Sequence, residues 1–426
     1  MSSLSDLRTE LVSCYGEAIW STDEARRAIF GQDIFYAGAP VGAVISPFER
    51  EQVQHIVRSA AAHGVALTTR GGGMSYSGGY LADDPAVSAA LDLSSLNRVV
   101  EIGEEDMYVL VEPGCTWEAL RLHLEPKGLR TAYWGPLSGA KSTVGGAISQ
   151  NAIFWGSGHA GSAADSVLGL EVVLGDGAVV RTGSFGAEGS KPFFRHFGPD
   201  LSGLFTADAG AMGVKTLISL RLVRIPAARG AVSVLLPTPE ALCLFMSEVS
   251  RAGLGAQQMG LDGALRNVRM TRGSLAEDIG HFKEVLLRRG VAAAWRLVTA
   301  GRNLLDGMDF SAHVFLEARS AEALASDRRA VLAIAEGLGG REVAPSVPDV
   351  MVARPFGPLN GITGPKGERW APVHCVIPHS DAVRAYRAIA DLFEAEKEEM
   401  RRREVVASFL FTTMGTNAFV IEPMFL

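Results

Sequence analysis

Two glycine-rich segments of this chain combine residue types that suit a bound phosphate. Glycine lets the backbone take positive φ and approach a ligand closely, and consecutive N–H groups in a turn form a concave anion site. Hydroxyl side chains in the same turn add further donors. The sequence therefore predicts a cofactor-phosphate site built from Arg70, Gly71, Gly72, Gly73, Met74, Ser75, Tyr76 and Gly78 in the first segment and Pro136, Ser142, Thr143, Gly145 and Gly146 in the second.

Each segment also has an alternative interpretation. Arg70 pairs either with a phosphate or with a carboxylate of the protein core. The second segment runs into a predicted short helix, whose N-terminus of small residues either binds an anion or serves only to pack tightly.

A third glycine pattern, Gly156 to Gly161, matches GxGxxG literally, and Asp176 lies 20 residues beyond its first glycine. A nicotinamide-binding fingerprint needs a strand before the glycines and a crossover helix after them. Here a helical segment precedes the glycines and Asp176 falls in a predicted hairpin turn. The context therefore disfavours a nicotinamide site.

Four side chains in the second half are candidates for reaction chemistry. His374 lies on a predicted strand with Val373 and Cys375 directed to the opposite face, so it is either a base facing a cleft or a hydrogen-bonded core histidine. Arg354 and Arg369 either bind a substrate carboxylate or are solvated surface charges. Glu422, in an apolar strand, is a weaker candidate base. The four cysteines are scattered, so we expect neither a metal site nor a disulfide framework.

The elements that position these residues indicate an α+β protein. A strand near residues 41–45, a helix capped by Ser46 and a second strand at 65–69 lead into the first glycine segment. A helix from Trp117 ends at Gly128, and residues 170–182 read as a hairpin. Short strands are expected at 87–93, 99–102, 108–112 and 216–222.

The composition changes near residues 224–227, where we place a domain boundary. Residues 1–39 are predicted to be a helical lead-in, 40–226 a first domain and 227–426 a second. The second domain is predicted to be an antiparallel sheet with helices on one side. Its predicted strands are 231–236, 312–317, 372–377, 405–411 and 419–425, with a long helix from Asp381 to about Arg402. The chain stops within an apolar run, so we expect the second domain to be C-terminally incomplete.

Charge and hydropathy exclude several partners. The 426 residues carry a formal net charge of −7 and the pI is about 5.8, which disfavours nucleic acid and anionic membranes. No apolar stretch is long enough to span a membrane, and no signal peptide is evident. We expect a cytoplasmic protein.

Several ordered motifs resemble the FAD-binding domain of the vanillyl-alcohol oxidase / p-cresol methylhydroxylase family (PCMH-type). They cover about residues 40–226, and the second half resembles the family's cap domain less closely, chiefly through residues 369–374. The motifs of the first half are the strand and helix before Arg70, the strand Leu91 to Leu93, Val111 to Trp117, Ser142 to Gly146, Asp165 to Leu174 and Leu204 to Thr216.

The resemblance implies FAD as the cofactor. It implies that residues 70–79 bind the pyrophosphate, that 143–146 line the flavin and its phosphates, and that the backbone near Val214 lies beside adenine. By family position His159 lies close to the flavin, although a loop hydrogen-bonding role is equally open. Met74 replaces the histidine that tethers the flavin in several relatives, so we expect non-covalent FAD unless His374 or His159 supplies the tether.

The resemblance implies an FAD-dependent oxidase or dehydrogenase whose substrate lies between the two domains, under the cap. A hydride would pass from an alcohol, either a phenolic benzyl alcohol or a 2-hydroxy acid, to flavin N5, while His374 takes the hydroxyl proton. Electrons would then pass to oxygen or another carrier. A non-catalytic flavin-binding or interaction module is the alternative function. A homodimer is left open.

Overall fold

The computed structural model describes residues 4–82, 84–264, 309–357 and 369–426. The chain forms two compact units, the first made of Met1–Ile153 with Ser162–Ile225 and the second of Phe154–Gly161 with Pro226–Leu426. The predicted lead-in is thus part of the first unit. Residues 154–161, predicted to lie in the first domain, belong to the second unit, where the Gly158 N–H donates to the Ala256 carbonyl and Trp155 packs against Phe315.

The first unit contains two sheets. The strands of the first sheet lie in the order β1, β2, β4, β3. In this sheet β4 pairs in parallel with both β2 and β3. The second is antiparallel, with β10 at its centre between β6 and β8. The strands are β1 (Trp20–Ser21), β2 (Ala43–Ile45), β3 (Ala66–Arg70), β4 (Ser88–Asp92), β5 (Val99–Gly103), β6 (Tyr108–Val111), β7 (Leu129–Thr131), β8 (Val167–Val173), β9 (Val179–Arg181) and β10 (Val214–Arg224).

Helices cover these sheets and close a shared core. The helices of this unit are α1 (Leu4–Tyr15), α2 (Glu24–Phe30), α3 (Arg50–Ala62), α4 (Trp117–Leu124) and α5 (Val144–Ser149). Leu11 of α1, Ile56 of α3, Leu91 of β4 and Val214 of β10 lie in one buried cluster. The core therefore fixes the strand end at Arg70 and the strand start at Val214 relative to each other.

The predicted cap of α3 is wrong by three residues. The helix has Glu49 as its N-cap, and the Glu49 N–H donates to the Gln52 side chain at 3.1 Å. Ser46 lies before the first helical residue, Arg50, and its hydroxyl accepts a hydrogen bond from Arg26 at 2.8 Å. The helix that ends at Gly128, where φ is +68°, and the 170–182 hairpin are confirmed.

The second unit is built on an antiparallel sheet of order β14, β11, β13, β12, β17, β18, β15, with β16 also paired to β18. Its strands are β11 (Ala228–Leu235), β12 (Gln257–Asp262), β13 (Phe310–Ala318), β14 (Arg341–Val343), β15 (Ala371–Pro372), β16 (Cys375–Pro378), β17 (Ala407–Met414) and β18 (Ala418–Phe425). Its helices are α6 (Ser157–Ala160), α7 (Pro239–Arg251), α8 (Ala321–Gly337), α9 (Ser346–Ala353), α10 (Ala382–Ala395) and α11 (Lys397–Arg402).

One face of this sheet packs against the long helices α7, α8 and α10. Alternate strand residues such as Val232, Val314 and Phe411 lie in that helix-covered core. Phe315 lies on the opposite face, where its ring contacts Trp155 at a centroid distance of 5.2 Å. The predicted α+β class and the antiparallel sheet with helices on one side are confirmed. Two predicted elements are each split: the strand at 372–377 into β15 and β16, and the helix from Asp381 into α10 and α11.

No helix in the described ranges is long and apolar enough to cross a membrane.

Candidate functional site

The first glycine segment presents backbone donors. Within the described residues, the N–H groups of Gly72, Gly73, Met74 and Ser75 have no hydrogen-bond acceptor. Gly73 has φ of +67°, a left-handed conformation that turns successive N–H groups toward one side. Unpaired, neighbouring N–H groups of this kind form an anion-binding concavity. The segment therefore fits the diphosphate of a nucleotide cofactor.

The second glycine segment differs, because its N–H groups already have partners. The Val144 N–H donates to Cys115 at 2.8 Å, the Gly145 N–H donates to Pro113 at 2.9 Å, and the Gly146 N–H donates to the Thr143 hydroxyl at 3.3 Å. The N–H groups at the start of α5 therefore already have acceptors within the protein, which argues against an anion-binding site at this helix N-terminus. Close packing accounts for Gly145, where a Cβ would lie 2.6 Å from that of Pro113. Gly146 is different, since a Cβ there would meet only the Thr143 hydroxyl within 4 Å, at 3.2 Å.

The structure brings the two glycine segments into direct contact. A Cβ on Gly71 would overlap the Thr143 hydroxyl, and a Cβ on Gly72 would overlap the Lys141 carbonyl. In addition, the Ser77 hydroxyl donates to Gln150 at 3.1 Å. The segments, which are about 70 residues apart in sequence, therefore form one surface.

A third segment, residues 207–213, borders the same surface. A Cβ on Gly79 would lie 3.2 Å from that of Ala209, and the Ala209 N–H donates to Ser149 at 2.9 Å. Ala207 and Ala209 have φ of +55° and +51°, which non-glycine residues adopt rarely. Strain of this kind persists only where the surroundings hold it, and it is concentrated at functional sites.

A buried ion pair anchors this third segment. The Lys215 ammonium lies 2.8 and 2.9 Å from the Asp208 carboxylate oxygens, and both side chains are almost fully buried. Asp208 also accepts from the N–H groups of Gly210 and Met212. Burial lowers the pKa of Lys215, and the Asp208 carboxylate opposes that shift. No sequence motif marks this pair, because a lone aspartate seven residues before a strand lysine is common.

Of the two predicted pairings of Arg70, the one with a core carboxylate does not occur among the described residues. Its guanidinium donates to the carbonyls of Ile29 at 2.5 Å and Gln32 at 3.0 Å. It also lies over the rings of Phe30 and Tyr80, at 4.7 and 5.1 Å from their centroids. The side chain therefore fastens the N-terminal segment to the loop.

The remaining cofactor candidates of the first unit are half-buried or internal. The Ser75 hydroxyl bonds that of Ser77, and the Ser142 hydroxyl bonds that of Ser138 at 2.6 Å. Val214 directs its side chain into the core, so only its backbone is available to a ligand. Met74 and Tyr76 are half-buried within the loop, and the Pro136 carbonyl accepts from Gly139.

In the second unit, His374 pairs with Glu422. Its Nε2 lies 2.6 Å from Oε2 of Glu422, which is on β18. Glu422 is 5% exposed and His374 is 31% exposed, and Oε1 of Glu422 has no partner in the described part of the chain. His374 lies between β15 and β16, so the predicted strand alternation around it is wrong. Two of the candidate bases are therefore in direct contact.

The other candidates of the second unit lie on separate elements. Arg354 is half-buried at the end of α9, and Arg369 is exposed at the start of a described range. His159 is exposed on the short helix α6. No cluster of metal-ligating side chains occurs among the described residues.

Residues 41–183 match a family model described as an FAD binding domain. The match assigns an FAD-binding domain to these residues. The matched range contains both glycine segments, and the unpaired N–H groups of residues 72–75 fit the cofactor. FAD as the cofactor, and the predicted resemblance to FAD-linked oxidoreductases, are thereby confirmed.

The curated relatives of this chain include an oxidase subunit and a dehydrogenase. The chain is 28% identical to "Glycolate oxidase subunit GlcD" of Bacillus subtilis over 58% of this chain and 51% of the relative. It is 33% identical to "D-lactate dehydrogenase [cytochrome], mitochondrial" of Arabidopsis thaliana over 48% of this chain and 35% of the relative. The chain therefore spans about half, or less, of the length of these relatives.

Solved structures share the fold across both units. p-Cresol methylhydroxylase with bound substrate superposes with a TM-score of 0.76 at 17% identity, over 98% of this chain and 82% of that one. 4-Ethylphenol oxidase from Gulosibacter chungangensis gives a TM-score of 0.75 at 18% identity, over 99% and 82%. The likeness confirms the PCMH-type fold predicted from the sequence.

Proposed function

We propose that this protein is an FAD-dependent oxidoreductase that oxidises a 2-hydroxy acid at its CH–OH carbon. The observation that carries the proposal is the row of unpaired N–H groups at residues 72–75, in a domain whose family binds FAD. The curated relatives named for glycolate and D-lactate favour a hydroxy acid over a phenolic alcohol. When bound, FAD supplies the hydride acceptor.

The chain's own residues would divide the remaining work. Residues 72–75 would hold the diphosphate, residues 143–146 with Ser142 and Pro136 would line the flavin, and the backbone at Val214 would contact adenine. His374 would accept the hydroxyl proton of the substrate. The buried Glu422 carboxylate orients the ring through Nε2 and compensates the charge that the ring acquires. Arg354 and Arg369 would bind the substrate carboxylate.

Attachment of the cofactor is proposed to be non-covalent, because Met74 cannot form the bond that a histidine would. Acid precipitation of the purified protein is expected to release all of the yellow colour into the supernatant. Flavin that remains with the precipitate would contradict this, and mutation of His374 and His159 would then identify the tether.

The activity is tested by anaerobic reduction of the bound flavin with a panel of compounds. We expect 2-hydroxy acids, glycolate and lactate among them, to bleach the absorbance near the flavin maximum, and benzylic phenols to leave it unchanged. Bleaching by phenols alone would indicate a phenolic substrate instead of a 2-hydroxy acid. A flavin that no compound reduces would support a non-catalytic flavin-binding module instead. Readmission of air then shows whether oxygen accepts the electrons.

Gly146 provides a test of cofactor lining in which only the Thr143 hydroxyl has to shift. Because a Cβ there meets only the Thr143 hydroxyl, Gly146→Leu is expected to keep the fold and to weaken FAD binding at least tenfold. Gly337→Leu is the matched control, since it lies in a helix with open space around it. Unchanged FAD affinity in the Gly146 variant would remove residues 143–146 from the proposed lining.

The proton-accepting role is tested with His374→Gln. This variant is expected to keep its FAD spectrum and to lose at least a hundredfold in the rate of flavin reduction, on the scale of general base catalysis. His123→Gln is the matched control, because His123 is exposed and bonds only within its own helix. A normal reduction rate in His374→Gln would exclude this histidine as the base.

A further inference from the structure

The N-terminal segment 29–36 contacts the first glycine loop at several points. The Arg70 guanidinium bonds the carbonyls of Ile29 and Gln32, the Ile34 N–H donates to the Ser75 carbonyl at 3.1 Å, and the Gly78 N–H donates to Asp33 at 2.8 Å. The segment therefore holds the loop at its beginning, in its middle and near its end. We call residues 29–36 the clasp.

We propose that the clasp, through Asp33 and Arg70, holds the N–H groups of residues 72–75 in the conformation that binds the FAD diphosphate. This rests on the proposed function, because it assigns positioning residues to the same cofactor site. Neither side chain is assigned a contact with FAD. Both act through the loop that they fasten.

Asp33 is the centre of the clasp. Its carboxylate accepts from the N–H groups of Phe35 at 2.8 Å and Tyr36 at 2.5 Å through Oδ1, and from Gly78 through Oδ2. The residue is 6% exposed. A buried carboxylate that accepts several N–H groups forms strong, directional bonds, and its removal leaves those donors unsatisfied. Asp33 therefore fixes the turn of the clasp and the far end of the loop together.

Arg70 fastens the other end. It is half-buried between the Phe30 and Tyr80 rings, and within the described residues it forms no ion pair. Its planar guanidinium can donate to two carbonyls while stacked, which a lysine ammonium cannot reproduce. A Cβ on Gly73 would meet this guanidinium, so the positive φ at Gly73 and the position of Arg70 depend on each other.

The contacts of the clasp predict that its loss weakens binding of the diphosphate in particular. The clasp touches the loop that carries the unpaired N–H groups, and those groups are suited to phosphate oxygens rather than to a flavin ring. Loss of the clasp should therefore weaken FAD, which has the diphosphate, more than riboflavin, which lacks it. A residue that only stabilises the domain would weaken both equally.

The experiment measures the dissociation constants of FAD, ADP and riboflavin by fluorescence titration of apoprotein. Asp33→Ala and Arg70→Met are expected to raise the Kd of FAD and ADP about tenfold or more, while the Kd of riboflavin changes less than about twofold. Asp33→Asn keeps one acceptor oxygen and Arg70→Lys keeps the charge, so both should give intermediate values. Asp176→Ala and Arg8→Met are the matched controls, since these side chains bond only in a hairpin turn and at the surface.

Circular dichroism accompanies each titration, and the Asn and Lys variants provide the comparison if the more severe variants do not fold. An equal rise in the Kd of FAD and of riboflavin would contradict the proposed role of the clasp. So would a Kd of FAD within twofold of wild type in all four variants. If wild-type protein binds FAD but shows no activity, the proposed function fails while the clasp stands. If wild-type protein does not bind FAD, both fail.

Discussion

The two glycine segments of the FAD-binding domain have similar compositions and opposite uses of their backbone donors. In residues 72–75 the N–H groups have no acceptor among the described residues, whereas Val144, Gly145 and Gly146 donate within the protein. The N–H groups of the first segment are therefore available to a ligand, whereas those of the second segment bond neighbouring protein atoms. Glycine content alone therefore does not identify an anion site, because glycine serves close packing as well as ligand approach.

The largest expected effect comes from Gly72→Val, at the contact between the two segments. Because even a Cβ there would overlap the Lys141 carbonyl, the substitution must push the segments apart, at a cost of about 3 kcal/mol. Urea unfolding of the apoprotein should show this loss, and FAD binding should be lost with it. A normal unfolding midpoint would mean that the segments are not packed as described.

Gly145→Ala should have the next largest effect. Its Cβ would lie 2.6 Å from that of Pro113, so we expect about 2 kcal/mol lower unfolding free energy. The measurement is again urea unfolding, with Gly146→Ala as the neighbouring control. Equal stability of the two variants would contradict the tight packing of Gly145.

Thr143→Ala tests the bond that satisfies the second segment. The hydroxyl caps α5 by accepting from Gly146, and loss of such a cap costs about 1 kcal/mol. Thr143→Ser keeps the hydroxyl and should keep most of the stability. If serine destabilises as much as alanine, the methyl group and not the cap carries the effect.

Gly146→Ala should have the smallest effect, and of the opposite sign. The position is helical, and only the Thr143 hydroxyl lies close to a Cβ there, at 3.2 Å. If that hydroxyl shifts slightly, alanine should stabilise the domain by about 0.5 kcal/mol through its higher helix propensity. Thermal unfolding of apoprotein would show a small rise in midpoint. A fall would mean that the space beside Gly146 is already filled by the protein.

Local sequence signals predicted the elements around the site well. The β-branched run before Arg70 and the glycine after Lys127 gave the strand β3 and the end of the α4 region, because each depends on a few adjacent residues. The cap of α3 was missed because both Ser46 and Glu49 can begin a helix by residue type, and the helix begins after Glu49, which forms a capping box with Gln52. The strand around His374 was missed because its apolar alternation does not reveal the break between β15 and β16.

The sequence did not predict which residues that are distant along the chain contact each other. His374 and Glu422 were separate candidates until the pairing of β18 with its neighbours brought them within 2.6 Å. Lys215 and Asp208 gave no motif at all, and Arg70 bonds backbone carbonyls, which carry no signature of residue type.

The sequence by itself determined the α+β class and the first glycine loop, because these depend on periodicity and on glycine spacing along the chain. It indicated the FAD-binding family through the resemblance of its ordered motifs. Only the tertiary structure decided which glycine segment keeps its donors unpaired, which carboxylate meets His374 and what Arg70 holds. Those outcomes depend on which acceptor lies within about 3 Å of each donor, and distances of that kind are fixed by packing rather than by sequence order.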